Sequence, residues 1–193
     1  MVNSIQKLRK KAFFTTKEAK TCGLSPRMLS YNHKKGAIER IARGIYRFSD
    51  QQPASKNLEW QDLAVAAFRI KGAVICLISA LRYYEMTDEM MRENWIAVPN
   101  NSSRINFLNT RTIRMRNLNL GVKTIELASL KVKIFDEERT LLDSFRLLDQ
   151  EVALKALKIY MGKKGNRPNL KKIREYSRKL KVDIRQFIAP FLV

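Results

Sequence analysis

The pattern of apolar and polar residues between Leu24 and Phe48, "LSPRMLSYNHKKGAIERIARGIYRF", predicts a helix followed by a hairpin. Ser25 before Pro26 is typical of a helix start, because the hydroxyl accepts a free amide and proline at the first position needs none. Gly36 can adopt the left-handed conformation that ends a helix. We therefore expect a helix from Pro26 to about Lys35.

A hairpin is predicted directly after this helix. Ile38, Ile41, Ile45 and Tyr46 are strand-forming residues on either side of a turn through Ala42, Arg43 and Gly44. Arginines lie on both sides of this turn and within it.

A second short helix is predicted upstream, over Thr16 to Cys22. Thr15 and Glu18 have the spacing of a capping box, and Gly23 can end the helix. With a basic helix over Ser4 to Lys11, the order becomes helix, helix, tight turn, helix and hairpin. This is the layout of a winged helix-turn-helix, whose second helix of the pair enters the DNA major groove. Any small helical domain with a terminal hairpin is the alternative.

A second domain is predicted after a polar linker, Asp50 to Lys56, "DQQPASK". Our expected boundaries are residues 1–50 and residues 57–193. Helical spacing covers Leu58 to Ile70, and the apolar segment Ala73 to Met86, "AVICLISALRYYEM", predicts one buried helix.

Strand patterns follow in "WIAVP", "RTIRMRNL" and "VKTIELASLKVKIF", with a turn around Ser129. Helical patterns return in "DEERTLLDSFRLLD", "QEVALKALKIYMG" and "NLKKIREYSRKLKV". The predicted fold class is α+β, with a small sheet and C-terminal helices.

Charge narrows the range of partners. The chain of 193 residues has a net charge of +20. Residues 1–50 carry 12 basic and 3 acidic residues (+9), residues 51–150 carry 14 and 12 (+2), and residues 151–193 carry 12 and 3 (+9). Basic ends around a nearly neutral middle favour a polyanionic partner, most often nucleic acid.

We expect double-stranded DNA to contact the N-terminal helices and hairpin. In the second helix of the pair, Arg27, Ser30 and Tyr31 should lie near base edges and Lys34 nearer phosphate. The full set of expected contacts is Thr16, Lys17, Ser25, Arg27, Ser30, Tyr31, Lys34, Lys35, Arg40, Arg43 and Arg47.

A second basic surface is expected on the C-terminal helices. Its members are Lys155, Lys158, Lys163, Lys164, Arg167, Lys171, Lys172, Arg174, Arg178 and Lys179. RNA or a nucleotide, and additional double-stranded DNA, are all compatible with such a surface, because counterion release favours any polyanion.

The cysteines and the hydropathy predict a cytoplasmic protein. Cys22 and Cys76 lie in apolar contexts typical of reduced core residues. The longest apolar run, Ala73 to Leu81, is far shorter than the roughly 20 residues of a membrane span, and a signal peptide is not evident. We expect no membrane association.

Candidate catalytic chemistry is sparse. His33 is interpreted as a structural residue packed under the hairpin rather than as a base. Asp136, Glu137, Glu138 and Asp143 could hold magnesium, but a helix cap at Asp136 and a surface pair of Arg139 with Asp143 explain these acids without a metal. We expect no metal, no cofactor and no catalytic residues.

Two aromatic pairs, Phe13 with Phe14 and Tyr83 with Tyr84, could stack on bases, as in single-strand binders. Beside apolar helical residues they are more typical of a core.

The segment from Phe14 to Phe48, together with "AVICLISALRYYEMTDE" and "IFDEERTLLDSF", resembles the AbiEi family of antitoxins. These proteins belong to abortive-infection type IV toxin-antitoxin systems, which act in phage defence. The resemblance implies a repressor whose winged helix binds inverted repeats in the promoter of its own operon. It also implies a C-terminal domain that opposes a nucleotidyltransferase-like toxin without a stable complex.

Two other classes of function remain open at this point, a nucleic-acid-processing enzyme and an RNA-binding protein. The sequence lacks an evident catalytic motif, which disfavours the enzyme. It also lacks the exposed aromatic strands and glycine-lysine loops of RNA modules, which disfavours the second alternative.

Overall fold

The computed structural model describes residues 2–50, 58–103, 105–107, 109–163 and 168–191. The predicted linker, Asp50 to Lys56, lies outside these residues except for Asp50. The chain forms two compact units, one of residues 1–69 with 126–132 and the other of residues 70–125 with 133–193. The predicted α+β class, with small sheets and C-terminal helices, is confirmed.

The first unit combines short helices with a small antiparallel sheet. Its elements are α1 (Val2–Arg9), β1 (Phe14–Thr15), α2 (Thr16–Thr21), α3 (Pro26–Lys34), β2 (Ile38–Ala42), β3 (Ile45–Phe48) and α4 (Leu58–Arg69). The strands have the order β1-β3-β2, and β3 pairs with both neighbours.

The core of this unit joins the helices to the sheet. Leu8 of α1, Leu29 of α3, and Phe14 and Phe48 of the sheet pack in one buried cluster. The rings of Phe14 and Phe48 lie 5.1 Å apart between centroids, which is a favourable distance for an aromatic pair. Phe13 and Phe14 are therefore core residues, as expected, and their rings are not available for base stacking.

The second unit contains a five-stranded sheet and the C-terminal helices. Its elements are β4 (Val74–Ile75), α5 (Leu77–Tyr83), β5 (Asn94–Pro99), β6 (Thr110–Met115), β7 (Val122–Leu127), β8 (Leu130–Phe135), α6 (Glu137–Leu147), α7 (Gln150–Gly162), α8 (Leu170–Leu180), α9 (Arg185–Ile188) and a terminal 3-10 turn (Ala189–Phe191). The strands have the order β6-β5-β4-β8-β7, with β5 parallel to β6 and β4 parallel to β8. Residues 126–132 of β7 and β8 group with the first unit.

The predicted helix from Ala73 to Met86 is wrong over its first four residues. Val74 and Ile75 form the central strand β4, and Cys76 is extended (φ −144°, ψ 173°), so that α5 begins only at Leu77. A strand buried on both faces is uniformly apolar and has the same pattern as a buried helix. The pairings that decide the matter come from β5 and β8, which are distant in sequence.

The helices of this unit share one core. Leu141 and Leu142 of α6, Leu157 of α7 and Ile173 of α8 pack with Leu81 of α5. Within the part of the chain that the structure describes, no helix is long and apolar enough to cross a membrane.

The pair of Arg139 and Asp143 was expected on the surface, and this expectation is wrong. Both side chains are fully buried, and Nε of Arg139 donates to Oδ2 of Asp143 at 2.7 Å. The guanidinium also lies over the ring of Phe135 and donates to the carbonyl of Asn117 at 3.2 Å. A spacing of i to i+4 allows two side chains of a helix to meet, but it does not determine whether the face that carries them is buried or exposed.

Breaking this buried pair should destabilise the protein strongly. We expect Asp143→Asn to lower the free energy of unfolding by about 3–5 kcal/mol, because it leaves the buried guanidinium without its charge partner. Urea denaturation followed by circular dichroism measures this change.

The exposed pair of Glu151 with Lys155, 3.2 Å apart with the same spacing, provides the control. Glu151→Gln should cost less than about 1 kcal/mol. Equal losses of stability in the two variants would contradict the structural role of the buried pair.

Candidate nucleic-acid interface

The capping box predicted for α2 is present. The amide of Glu18 donates to Oγ1 of Thr15 at 3.2 Å, and the amide of Thr15 donates to Oε2 of Glu18 at 2.8 Å. Thr16 and Lys17 then occupy the first turn of α2, Thr16 half-buried and Lys17 exposed. The hydrogen bond from Lys11 to Glu18 raises the pKa of Lys11, so that this lysine stays charged beside the cap.

The turn between α2 and α3 is short. Gly23 has φ +86°, a conformation that glycine adopts without steric cost. The amide of Leu24 donates to the carbonyl of Ala19 at 2.9 Å, and the Leu24 side chain is buried. These contacts produce a helix-turn-helix arrangement of α2 and α3.

Both predicted ends of α3 are confirmed to within one residue. Ser25 caps the start, where its Oγ accepts from the amide of Met28 at 3.2 Å, and Pro26 follows. The helix ends at Lys34, with Lys35 as its C-cap. Gly36 has φ +74°, and its amide donates to the carbonyl of His33 at 3.0 Å.

The two faces of α3 differ completely in exposure. Leu29 is 1% exposed and packs into the core of the first unit. The side chains of Arg27, Ser30, Tyr31 and Lys34 are exposed. Burial of the one leucine therefore directs all four of these α3 residues, which were predicted to contact DNA, to the surface.

Tyr31 is not isolated on this face. Its side chain is 55% exposed, and Nζ of Lys35 lies 4.7 Å from the centre of its ring. A cation over the ring face is attracted by the ring quadrupole, which restricts the tyrosine to fewer orientations. Lys35 thus helps to hold the ring of Tyr31 in place on this surface.

Met28 was not among the predicted DNA contacts, yet it is 45% exposed beside Arg27. A thioether on the exposed face of a helix can contact the methyl group of thymine, as other apolar side chains do. An apolar residue adjacent to Leu29 in sequence was the available signal, because consecutive side chains of a helix project about 100° apart and α3 buries only a narrow face around Leu29.

His33 contacts the hairpin in a different way from that expected. It is exposed, so it is not packed under the hairpin, but its Nδ1 lies 3.1 Å from the carbonyl oxygen of Ile38. This hydrogen bond joins the end of α3 to the start of β2. His33 therefore contacts the hairpin, as expected of a structural residue. It does so through a hydrogen bond from an exposed ring, and not through buried packing.

The hairpin turn is attached to the start of α2. Gly44 has φ +83°, and its carbonyl accepts from the amide of Thr16 at 3.1 Å. Ala42 pairs with Ile45 in the ladder, so the turn itself consists of Arg43 and Gly44. The hydrogen bond fixes the tip of the hairpin against the N-terminus of α2.

The three hairpin arginines are not equivalent. Arg47 lies opposite Glu39 in the ladder, and its Nη2 is 2.5 Å from Oε2 of that residue. Arg40 and Arg43 are exposed, and the described residues provide no ion pair for either. Of these three arginines, Arg40 and Arg43 therefore carry charge that no carboxylate of the described residues compensates.

The predicted basic surface of the second unit divides into an exposed part and a half-buried part that is paired with carboxylates. Lys158, Lys171, Arg174 and Arg178 are exposed and unpaired within the described chain. Lys155 and Lys179 are exposed in pairs with Glu151 and Glu175, respectively. Lys164 and Arg167 lie outside the described residues.

Two predicted surface lysines instead bind the acidic start of α6. Nζ of Lys172 lies 2.9 Å from a carboxylate oxygen of both Asp136 and Glu138. Nζ of Lys163 lies 2.5 Å from Oε1 of Glu137. We correct the expectation for these two lysines, because their charges are satisfied within the unit.

The acidic cluster also serves as a helix cap, as predicted. Oδ1 of Asp136 accepts from the amide of Arg139 at 2.9 Å, and Glu138 accepts from the hydroxyl of Tyr160 at 3.1 Å. Burial raises the pKa of Glu138, but the hydrogen bond from Lys172, the backbone amide of Glu138 and the charge of Lys172 outweigh it, so the pKa lies below its ordinary value. Among the described residues, no group of three or more His, Cys, Asp or Glu side chains is arranged to hold a metal ion.

Comparison with known proteins supports the interpretation of the N-terminal helices. Residues 5–49 match a family model described as a transcriptional regulator, AbiEi antitoxin. The matched segment is less than a quarter of the chain, and it contains α2, α3 and the hairpin but neither of the later segments that carried the resemblance. A search of curated proteins found no match. The predicted resemblance is thus confirmed over residues 5–49, where the chain is similar to the AbiEi antitoxin family of transcriptional regulators.

Proposed function

We propose that the chain is a DNA-binding repressor of its own operon and the antitoxin of a type IV toxin-antitoxin system. In this proposal residues 1–50 are a winged helix-turn-helix domain, and residues 57–193 are an antitoxin domain that opposes a nucleotidyltransferase-like toxin without a stable complex. The protein acts by binding, with no catalytic step, in the cytoplasm, where its operator lies.

The observation that carries the DNA-binding proposal is the exposed face of α3. Four residues that can contact bases or phosphate, Arg27, Ser30, Tyr31 and Lys34, share this face, while Leu29 anchors the opposite one. A face of arginine, hydroxyl and lysine side chains on a capped, rigid helix matches the chemistry of the major groove. The similarity to transcriptional regulators over residues 5–49 agrees with this use.

The hairpin supports the proposal as a wing. Arg40 and Arg43 provide free charge, and the hydrogen bond from Thr16 to Gly44 sets the position of the tip relative to α2. Phosphate contacts fix the register of a protein on duplex DNA but carry little sequence information. We therefore assign sequence discrimination to α3 and positioning to the hairpin.

The antitoxin role depends on the family resemblance and on the exposed cations of α7 and α8. Lys158 and Lys171 are unpaired in the described chain, and a cationic surface attracts RNA or nucleotides that a nucleotidyltransferase-like toxin needs. RNA is therefore a candidate second partner, bound by the exposed cations of α7 and α8.

Replacement of Arg27 should reduce affinity and specificity together. We expect Arg27→Ala to weaken binding to the cognate inverted repeats by about 1–3 kcal/mol and to relax the preference at one base position, since arginine typically reads guanine. Lys34→Ala should weaken cognate and scrambled duplexes to a similar extent. Fluorescence anisotropy on both duplexes measures these changes.

The control for this experiment is Lys20→Ala, because Lys20 is exposed on α2 and is not predicted to contact DNA. It should leave discrimination unchanged. If Arg27→Ala kept wild-type affinity and specificity, α3 would not be the recognition helix.

The salt dependence of binding should separate the hairpin arginines. Removal of Arg40 or Arg43 should lower the slope of log affinity against log salt by about one unit for each phosphate that the variant no longer neutralises. Arg47→Ala should change the slope less, because Glu39 already compensates the Arg47 charge. Equal effects of all three replacements would contradict this division, and an unchanged slope in Arg40→Ala/Arg43→Ala would exclude the wing.

Antitoxicity should survive the loss of DNA binding. We expect the full chain with Arg27→Ala and Lys34→Ala to rescue growth when it is expressed beside the toxin of its operon from an unrelated promoter. Lys158→Glu with Lys171→Glu should reduce this rescue, because both side chains are exposed and the change reverses the attraction for polyanions. Immunoblots ensure equal protein levels. Loss of rescue in the first variant, or full rescue in the second, would contradict the assignment of antitoxicity to the C-terminal surface.

A further inference from the structure

The C-terminal end of the second unit contains an open groove of about 790 Å³, which we call the C-terminal groove. It runs between α8 on one side and the segment from Lys181 to Ala189 on the other. Its apolar lining consists of Leu170, Ile173, Val182, Ile184, Ile188 and Ala189. Ile173, Ile184 and Ile188 are buried in the core, so this floor is held in place by the packing of the unit.

Cations line one edge of this groove. Arg174, Arg178 and Lys181 follow one another at intervals of four and three residues, so they lie along one face of α8 and its C-cap. None of the three has an ion-pair partner in the described ranges. The stripe extends over about 10 Å, at 1.5 Å per helical residue.

The remaining charges of the groove compensate each other. Nη2 of Arg185 lies 2.7 Å from Oδ2 of Asp183, and Nε of Arg185 donates to the same carboxylate. The net charge that the groove presents is therefore that of Arg174, Arg178 and Lys181. An occupant needs negative charge on one edge and apolar surface facing the floor.

An acidic amphipathic helix meets both conditions. Apolar side chains at positions i, i+3 or i+4 and i+7 of such a helix face an apolar floor, while carboxylates on its flank reach a row of cations. The intervals between Arg174, Arg178 and Lys181 equal the intervals at which a helix presents carboxylates along one edge. We propose that the C-terminal groove binds an acidic amphipathic helix of a partner protein, through its aliphatic floor and these three cations.

A nucleic-acid strand fits the groove less well. Among the described lining residues there is no aromatic ring on which a base could stack. Phosphates set against Ile184 and Ile188 would lose hydration without gaining a hydrogen bond, which is unfavourable. The groove therefore differs from the exposed cations at Lys158 and Lys171, which lie outside its lining.

The test is a binding titration of the full chain with a synthetic helical peptide of about 16 residues, long enough to span the groove. The peptide carries leucines on one face and glutamates on one flank, and a scrambled peptide of the same composition lacks the apolar face. We expect the amphipathic peptide to bind at least about tenfold more tightly than the scrambled peptide. Equal affinities of the two peptides would overturn the proposal, because general attraction of glutamates to a protein of charge +20 would then explain all of the binding.

Two charge-reversing variants make the test specific to the groove. Arg178→Glu should weaken binding of the amphipathic peptide about tenfold, because it reverses a charge on the groove edge. Lys123→Glu makes the same kind of change at an exposed position of β7, outside the groove lining, and it should alter the affinity by less than about twofold. Equal losses of affinity in the two variants would overturn the assignment.

A third variant probes the floor. Leu170→Ser replaces a partly exposed lining residue and leaves the buried core intact. It should weaken binding of the amphipathic peptide, while the circular dichroism spectrum and the melting curve of the protein stay unchanged. A single-stranded RNA of about 12 nucleotides, within the range that a single-strand site covers, is titrated in parallel. If the RNA required Arg178 and the amphipathic peptide did not bind, the groove would be a nucleic-acid site and the proposal would fail.

Discussion

The burial of Leu29 against the small sheet is the contact on which the candidate interface depends. This side chain packs with Phe14 and Phe48, and full burial of a leucine contributes about 1.5–3 kcal/mol. Because a helix has one rotational setting that buries a given residue, the position of Leu29 determines which residues of α3 face outward. Ser25 and Gly36 then limit the helix at both ends, so its exposed face is short and rigid.

The position of the hairpin depends on the same buried cluster as Leu29. Phe48 of β3 contributes to the cluster that holds Leu29, and the carbonyl of Gly44 accepts from the first amide of α2. A change in the core would therefore alter the direction of α3 and the position of the hairpin tip together. This coupling explains how so small a unit can hold the exposed face of α3 and the hairpin in one fixed arrangement.

Charge in the second unit has two physical roles that composition alone does not separate. Lys163 and Lys172 neutralise the acidic first turn of α6, and Arg139 is fully buried beside Asp143. Arg174 and Arg178 remain exposed and can attract a partner. The net charge of residues 151–193 thus overstates the free positive surface, because part of it is internal.

The elements that could be predicted are those whose signals are local. The capping box of Thr15 and Glu18, the Ser25–Pro26 start and the glycine stops depend on backbone groups a few residues apart, and they give the bounds of α2 and α3 almost directly. Strand β4 could not be recognised, because its apolar run also fits a helix and only distant strands decide it. The burial of Arg139 and Asp143, and the pairing of Lys172 with α6, likewise result from the approach of elements far apart in sequence.

Site-specific cross-linking to DNA tests most directly the central claim that the exposed face of α3 is the recognition surface. A photoreactive phenylalanine analogue replaces Tyr31 in one sample and Ile159, which is exposed on α7, in another, and each is irradiated with a duplex from the operon's own promoter. Efficient cross-links are expected from position 31 to bases of the inverted repeats, and few from position 159. Cross-links from position 159 alone, or from position 31 with equal yield on a scrambled duplex, would show that α3 does not recognise the DNA sequence.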